Sequence, residues 1–528
     1  MKNTHLIAIL TSLVFITSCK KVIDIDPISN IGTNAFYRDY SETNTALTGC
    51  YNGIHQPLYI EWMFTELRGD NSKQGSAGST AIQNIELNEL DMFTVNSAHD
   101  KVYDYWLATY RNIRAINYVL RSLGVKYVNG ELSLEEPTAK MTEQQRNQIM
   151  GEALFLRAYH YFNLVRLFGG VFLITEPLDP KIAKQINRSS VNDCYRLIIA
   201  DLTKAKDILP NTSFAQINQS NLGHANTWAA KSLLAKVYLT NNQSANALLL
   251  LDDVINNSGY GLLPSYADVF SINNEMNREI IFAVRYKAGG FGLGSPFANL
   301  FAPSSSGSSV VNNDGNGFNF PTESVKAAYR VPATGPADQR RNVNIAQYTA
   351  TRPYMKKYLS QVITRYDAEN DFPVIRFADV LLMKAEAMGF DGADGVAVGL
   401  INSIRQRAGA ADYTGTGAFE AAFFKYPATG NGAILDAAAF KSALFNERRI
   451  ELAYENQRYF DMLRSGDAVN AIRTYFAAEY DVHYRNYRPV ISLAELQGYV
   501  NQNRLLLPIP QREIDTNDEL KIEQNPGY

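Results

Sequence analysis

Aromatic rings and planar polar side chains occur together in two segments of this chain, a combination typical of carbohydrate recognition. An aromatic ring can stack on the apolar face of a sugar, while carboxamide, carboxylate and guanidinium groups hydrogen-bond to its hydroxyls. The first group of such residues is Trp62, Arg68, Asp70 and Asn71. The second group is Phe291, Phe297, Asn299, Phe301 and Phe320. We predict that these two groups contact a ligand.

The three tryptophans differ in their surroundings. Trp106 lies within an apolar pattern of helical spacing, and Trp228 opens another such pattern, so both are predicted to be core residues. Trp62 is therefore the tryptophan that we predict to bind ligand.

A weak calcium-loop pattern follows the second group. The matching residues, at positions 1, 3, 5, 6 and 12 of the loop template, are Asn312, Asp314, Asn316, Gly317 and Glu323. Asparagine at position 1 and Pro321 inside the loop weaken the match. The alternative is a Gly/Asn turn within a ligand-binding loop, and we expect no cofactor.

Catalytic motifs of several common kinds are absent from the sequence. It has no phosphate-binding P-loop, no G-x-S-x-G nucleophile elbow and no H-E-x-x-H zinc motif. The charged residues between Glu447 and Asp461 recur at three- and four-residue steps, which predicts an ion network. Two carboxylates would suffice for a glycosidase, so a surface glycoside hydrolase stays an alternative.

Amphipathic helices must position these groups, because apolar residues recur at helical spacing over most of the chain. The predicted helices are Glu42–Tyr59, Ala98–Leu123, Thr142–Phe168, Val191–Leu209, Ala225–Thr240, Ala245–Asn256, Phe377–Met388, Gly395–Ala408 and Asp436–Arg464. Two of the helix pairs share one spacing. Ala235 is followed by Ala247, Leu251 and Val254, as Ala385 is by Ala397, Ile401 and Ile404. This pattern is that of tetratricopeptide-like pairs, which bury their faces by stacking.

Irregular segments interrupt the helices. Ile280–Tyr286 is predicted to be a short strand, and residues 288–320 are rich in Gly, Ser, Asn and Phe. Residues 68–80 are also polar and rich in Gly and Ser. Binding residues concentrate on such excursions from a rigid scaffold, so we expect the ligand there.

The N-terminus has the order of a bacterial lipoprotein signal. Lys2 precedes the apolar stretch Leu6–Ile16, and Cys19 follows a small residue. We predict a signal peptide over residues 1–18, acylation of Cys19, a tether over 19–35 and a single body over 36–528, with a loop-rich insertion at about 288–330. Cys50 and Cys194 are predicted to be unpaired core residues.

Composition narrows the class of partner. The 528 residues carry 50 Lys and Arg against 53 Asp and Glu, a net charge of −3. Such a balance argues against nucleic acid. The 31 tyrosines offer flat rings with a hydrogen-bonding group, which suits a polar uncharged ligand.

Five segments in order resemble the SusD/RagB family of outer-membrane lipoproteins of Bacteroidetes. They are Tyr161–Pro177, Ala229–Thr240, Arg376–Ala387, Glu447–Arg464 and Leu506–Tyr528. The resemblance implies an all-α-dominated fold with four tetratricopeptide-like helix pairs, irregular loop insertions and a few short strands. It also implies a lipid-anchored protein on the outer face of the outer membrane. Its role would be to capture glycans without catalysis and deliver them to a SusC-like TonB-dependent transporter. Peptide capture is an alternative, because the second group is rich in Phe and poor in Trp and so could contact a peptide or the transporter. A further alternative is an interaction module that uses its helix pairs for protein partners only.

Overall fold

The computed structural model describes residues 36–75, 81–329, 337–421, 423–517 and 519–528. The predicted signal peptide, Cys19 and the tether lie outside the described residues. The longer helices are α1 (Tyr40–Asn52), α2 (His55–Thr65), α3 (Ile82–Asp91), α4 (Asp100–Ser122), α5 (Glu143–Phe168), α6 (Val191–Ile208), α7 (Thr227–Thr240), α8 (Ser244–Asn257), α9 (Phe377–Met388), α10 (Val396–Arg407), α11 (Ala437–Glu451), α12 (Arg458–Ser465) and α13 (Ala468–Glu479).

Short helices and four two-stranded antiparallel sheets complete the described residues. The short α-helices are Pro180–Ala183, Tyr266–Val269, Phe297–Phe301, Glu323–Ala328, Arg341–Asn344, Leu493–Gly498 and Gln511–Asp515. The strands are β1 (Ser72–Lys73), β2 (Val125–Val128), β3 (Glu131–Leu134), β4 (Ile280–Val284), β5 (Phe320–Pro321), β6 (Ile345–Thr349), β7 (Arg352–Met355) and β8 (Phe372–Arg376). The pairs are β1–β5, β2–β3, β4–β8 and β6–β7. The helix-dominated fold is as predicted.

The helix pairs stack as the repeat predicts. Helix α7 packs on α8, α8 on α9, and α9 on α10. Every small or apolar residue of the two matched patterns is fully buried: Ala235, Ala247, Leu251 and Val254 in one pair, and Ala385, Ala397, Ile401 and Ile404 in the other. Small residues in the first helix of each pair let the second approach closely, so each pair buries one continuous seam.

Two predicted helices are each split in the structure. Glu42–Tyr59 becomes α1 and α2, which separate at Gly53, where a Cβ atom would lie 2.1 Å from the Asn112 side-chain oxygen. Asp436–Arg464 becomes α11 and α12. Tyr454 and Asn456 between them adopt positive φ angles of 64° and 58°, which no helix accommodates. Spacing alone missed both breaks because the apolar period continues through them.

The charged residues of α11 and α12 form the predicted ion network. Arg376 donates to Glu279 at 2.6 Å, to Glu451 at 3.0 Å and to Glu455 at 2.7 Å, and all four side chains are buried. Charges removed from water persist when they are paired and hydrogen-bonded in this way. The network joins β8 to the end of α11 and to Glu279, the residue before β4.

The main core contains the remaining predicted packing residues. Trp106, Trp228, Cys50 and Cys194 are all buried, and both cysteines are free. A second apolar cluster, which includes Phe93, packs α12 and α13 against the segment 484–505. In the described part of the chain, no helix has the length and apolar character needed to cross a membrane.

Candidate ligand-binding site

The first predicted group is buried and links α2 to α12. The Arg68 guanidinium lies 4.7 Å from the ring centroids of both Phe93 and Tyr459. Asp70 accepts two hydrogen bonds from Arg458, at 2.6 and 2.9 Å. Burial would raise the pKa of Asp70, but nearby guanidinium groups hold it well below its usual value.

Asn71 and Trp62, of the same group, are also buried. Asn71 accepts a hydrogen bond from Arg449 at 2.7 Å. The Trp62 ring is 1% exposed, and its neighbours are Phe301 at 5.3 Å and Phe318 at 6.1 Å. The structure therefore corrects the expectation that this group contacts ligand, because all four side chains are buried and the Trp62 ring is covered by other rings.

Most of the second predicted group is buried as well. Phe297 and Phe301 stack on each other at 5.5 Å within the short helix Phe297–Phe301, and both are buried. These rings attach the loop-rich insertion to Trp62 on α2, so they support the insertion instead of facing a ligand.

The residues of the calcium-loop pattern bond to other groups of the protein. The Asp314 carboxylate accepts backbone N–H groups of Ser305, Ser306, Gly307 and Gly315 at 2.8–3.1 Å. Burial would raise the pKa of Asp314, but these four donors hold it below its ordinary value.

The other pattern residues bond elsewhere: the side chain of Asn312 donates to the Val362 carbonyl, and Glu323 pairs with Lys326. Among the described residues, no group of three or more His, Cys, Asp or Glu side chains could hold a metal ion. The calcium loop and its alternative, a Gly/Asn turn inside a ligand-binding loop, both stay predictions.

Asn299 is buried and connects the loops around it. Its side-chain nitrogen donates to the carbonyls of Asn312 and Asp314, at 3.0 and 2.7 Å. Its side-chain oxygen accepts the Tyr366 backbone N–H at 2.8 Å. One carboxamide thus joins the loop 312–316 to the loop 361–366, so Asn299 acts by positioning these loops.

The two loops bring a set of polar and aromatic side chains to the surface. The oxygen of the Asn316 side chain accepts hydrogen bonds from Arg365 and from the Tyr366 hydroxyl, both at 2.9 Å. The Arg365 guanidinium lies 4.9 Å from the Tyr366 ring centroid, and Tyr366 is 38% exposed. Tyr366 has a φ of +64°, a strained conformation that functional sites often contain.

A second aromatic and arginine pair continues this surface. Arg352 lies 5.3 Å from the Tyr348 ring centroid and donates to the Ser304 hydroxyl at 3.1 Å. Ser304 bridges to Gly315, next to Asn316. Phe320 is half-buried over Gly75, where a Cβ atom would lie 2.9 Å from the ring.

We call this surface the loop face. Its members are Asn316, Phe320, Tyr348, Arg352, Arg365 and Tyr366. In the described part of the chain, neither of its arginines forms an ion pair, so both can donate to a ligand.

Phe291 also stays open to a ligand. It is 71% exposed at the tip of a hairpin closed by the Lys287–Leu293 bridge. The Asp367 carboxylate accepts the N–H groups of Gly289 and Gly290 at 2.9 and 2.8 Å, which ties this hairpin to the residue after Tyr366. Of the predicted ligand residues, Phe291 and Phe320 keep accessible rings.

Sequence reasoning missed four members of the loop face. Tyr348, Arg352, Arg365 and Tyr366 lie in a segment that we did not assign to a site. A signal was present, because tyrosine and arginine occur side by side there outside any strong helical pattern. Their arrangement, with open rings beside planar donors, suits the apolar faces and hydroxyls of a carbohydrate.

Comparison with known proteins decides the family. A model described as the SusD family matches residues 298–528. A second model, described as "Starch-binding associating with outer membrane", matches residues 30–239. The chain belongs to the SusD/RagB family. A SusD-like protein from Formosa agariphila is 25% identical and covers 100% of both chains. A SusD-like protein from Bacteroides ovatus is 25% identical over 54% of this chain and 50% of its own length.

Solved SusD-like structures share the fold. A laminarin-binding SusD-like protein has a TM-score of 0.70 at 24% identity and covers 93% of this chain and 100% of its own. Surface glycan-binding protein A from Bacteroides thetaiotaomicron, solved with laminarihexaose, has a TM-score of 0.68 at 18% identity and covers 92% and 99% of the two chains. Both likenesses agree with the helical scaffold described above.

Proposed function

We propose that this SusD-like protein captures glycans at its loop face and has no catalytic role. The observation that carries the proposal is the cluster of half-buried Asn316 with exposed Arg365 and Tyr366, in which a ring and two planar polar groups meet. Similar proteins are described as binding laminarin or laminarihexaose, and one matching family is described as starch-binding. Glycan capture is thus supported by both surface chemistry and kinship.

Glycan binding can be tested on protein that lacks residues 1–19. Glycan arrays would identify a ligand, and calorimetry would measure its affinity for Tyr366→Ala and Arg365→Ala variants. We expect each variant to bind about tenfold more weakly, as for the loss of one stacked or charge-assisted contact. Tyr499→Ala is the matched control, because Tyr499 is 36% exposed and lies outside the loop face.

The same experiment separates the alternatives. Glycan cleavage during the titration would indicate a hydrolase, and binding of peptides but no glycan would indicate peptide capture. Either result would overturn the proposal.

We also propose that the protein is a lipoprotein of the outer membrane, acylated at Cys19, that faces the exterior and delivers glycans to a SusC-like TonB-dependent transporter. The order of Lys2, the apolar stretch Leu6–Ile16 and Cys19 supports the anchor. The outer-membrane family description agrees with this location.

A Cys19→Ala variant should lose its acyl chains and leave the membrane fraction. If no TonB-dependent barrel is recovered when the acylated protein is pulled down, the proposed partnership is contradicted.

A further inference from the structure

A cavity of about 480 Å³ lies apart from the loop face and shares no residue with it. It is lined by the end of α10, the end of α11, the short helix Glu323–Ala328, residues 338 and 340, and residues 419–421, 423 and 426. Small-molecule sites typically occupy about 300–1,000 Å³, so the cavity has room for a ligand.

One wall of the cavity is aromatic and is held in place. Phe419, Phe423 and Tyr426 line it, with the ring centroids of Phe419 and Tyr426 5.9 Å apart. Asn402 on α10 exchanges two hydrogen bonds with the Tyr426 backbone, both at 2.8 Å. Ala411 donates to the Phe423 carbonyl at 2.9 Å. The backbone that carries Phe423 and Tyr426 is therefore held in place before any ligand arrives, which lowers the entropic cost of binding.

The floor of the cavity is charged but balanced. Arg405 lies 4.6 Å from the Tyr426 ring centroid and donates to Glu447 at 2.9 Å, while Arg340 donates to the other Glu447 oxygen at 2.5 Å. The charged lining residues are Arg340, Arg405 and Arg449 against Asp338, Glu420 and Glu447, a net charge of 3 − 3 = 0. An ionic ligand thus gains little from this lining.

The cavity also has lining groups that carry no charge, namely its aromatic rings and two neutral polar side chains. The Asn446 carboxamide and the Ser324 hydroxyl line it together with the aromatic wall, and Ser324, which accepts a hydrogen bond from Arg449 at 3.0 Å, keeps its O–H as a donor. A phosphate or a charged peptide terminus would need an unpaired opposite charge, whereas Arg340, Arg405 and Glu447 already pair with one another. We infer that this cavity is a second carbohydrate-binding site, which accepts a short end of a neutral glycan.

This second site can be tested by hydrogen exchange on the full chain in a non-glycosidic detergent. The probes are laminarihexaose, maltohexaose, xylohexaose and mannohexaose at millimolar concentration. At least one should slow amide exchange in residues 419–426 about threefold or more. A Phe419→Ala variant should weaken that protection about five- to tenfold, as for a lost ring contact.

Two further variants make the result specific. Asn446→Ala should also weaken protection, and it cannot disturb folding greatly because Asn446 is exposed on α11 and Ala favours helix. Leu435→Ala is the control. Leu435 lies, like Phe419, between α10 and α11, and it is 75% exposed but does not line the cavity.

The outcomes separate the two sites. Protection of 419–426 that survives Tyr366→Ala supports the second site even if the loop face binds nothing. Absence of protection with all four probes, or protection abolished by Tyr366→Ala but unchanged by Phe419→Ala and Asn446→Ala, would overturn the inference.

Discussion

At the scale of single residues, burial separates side chains of the same type. Trp62 and Tyr366 both have rings suited to a sugar, but Trp62 is enclosed by Phe301 and Phe318, while Tyr366 is held at the surface by Asn299. Buried acids also differ from one another in whether both of their oxygens have partners. Asp70 is paired with Arg458, whereas Glu66 is buried with one carboxyl oxygen bonded to the Asn456 N–H and the other without a partner.

Glu66 should make stability depend on pH. Burial raises the pKa of Glu66 from 4.5 to about 8. The folded protein then holds a proton that the unfolded chain has released, so the free energy of unfolding falls as pH rises from about 4.5 to 8. Glu66→Gln removes the titrating carboxyl and with it this loss of stability. We expect the variant to be more stable than the parent by about 1–3 kcal/mol at pH 9.

Urea unfolding at pH 5, 7 and 9 measures this difference. The gap between variant and parent should widen as pH rises, since other buried acids titrate equally in both proteins. A gap that stays constant with pH would show that Glu66 is already ionised in the folded state.

At the scale of elements, helices make the scaffold and hydrogen-bonded loops make the candidate site. Helices α7 to α10 stack through small residues such as Ala235 and Ala385. The loop face depends instead on side chains that satisfy backbone groups, chiefly Asn299 and Asp314. The two kinds of element should respond differently to substitution.

Enlarging a seam residue should reduce stability. Ala235→Leu adds volume where α7 has no free space, and overpacking of this kind typically costs about 1–3 kcal/mol. Urea denaturation would show this loss. Ala245→Leu is the control, since Ala245 is exposed on α8 and should change stability little; equal effects of the two changes would contradict close packing at the seam.

Removing the Asn299 carboxamide should loosen the loop face. Asn299→Ala leaves the carbonyls of Asn312 and Asp314 and the Tyr366 N–H without their partner, at a cost of about 2–3 kcal/mol. We also expect at least tenfold weaker glycan binding in calorimetry, because Tyr366 is no longer held.

The matched control is Asn246→Ala, an exposed change on α8. Unchanged affinity in a folded Asn299→Ala protein would show that Asn299 does not position the ligand site.

At the scale of the whole molecule, buried ion pairs join distant parts of the chain. Arg376 connects β8 with Glu279, at the start of β4, and with Glu451 and Glu455 around the end of α11. Lys73 on β1 pairs with Glu479 on α13. Each pair is removed from water, so the charge on one partner is stabilised by the opposite charge on the other.

Breaking the network at Arg376 should cost far more than breaking a surface pair. Arg376→Met leaves buried carboxylates uncompensated, and we expect a loss of about 3–5 kcal/mol or failure to fold. Lys521→Met removes an exposed pair with Glu523 and should change stability little, because water already solvates both charges. Thermal and urea unfolding of both variants compare them, and similar losses would contradict a structural role for the network.

Much of the scaffold could be predicted from spacing alone. Helix Phe377–Met388 has the predicted bounds, and α4 to α8 and α10 differ from theirs by one or two residues. Helices α3 and α13 were not predicted. The breaks at Gly53 and at Tyr454–Asn456 were also missed, because long-range contacts with Asn112 and local backbone strain decide them.

The sequence by itself determined the helical class, the repeat, the core tryptophans and the family, because these follow from local periodicity and from ordered motifs. Only the tertiary structure decided which polar and aromatic groups face solvent. Arg68 and Asp70 lie in a loop-like segment by composition, yet aromatic rings and Arg458 from α12 enclose them. Arg365 and Tyr366 reach the surface because Asn299, far away in sequence, fixes their backbone. Exposure depends on contacts between distant segments, and no local pattern encodes those contacts.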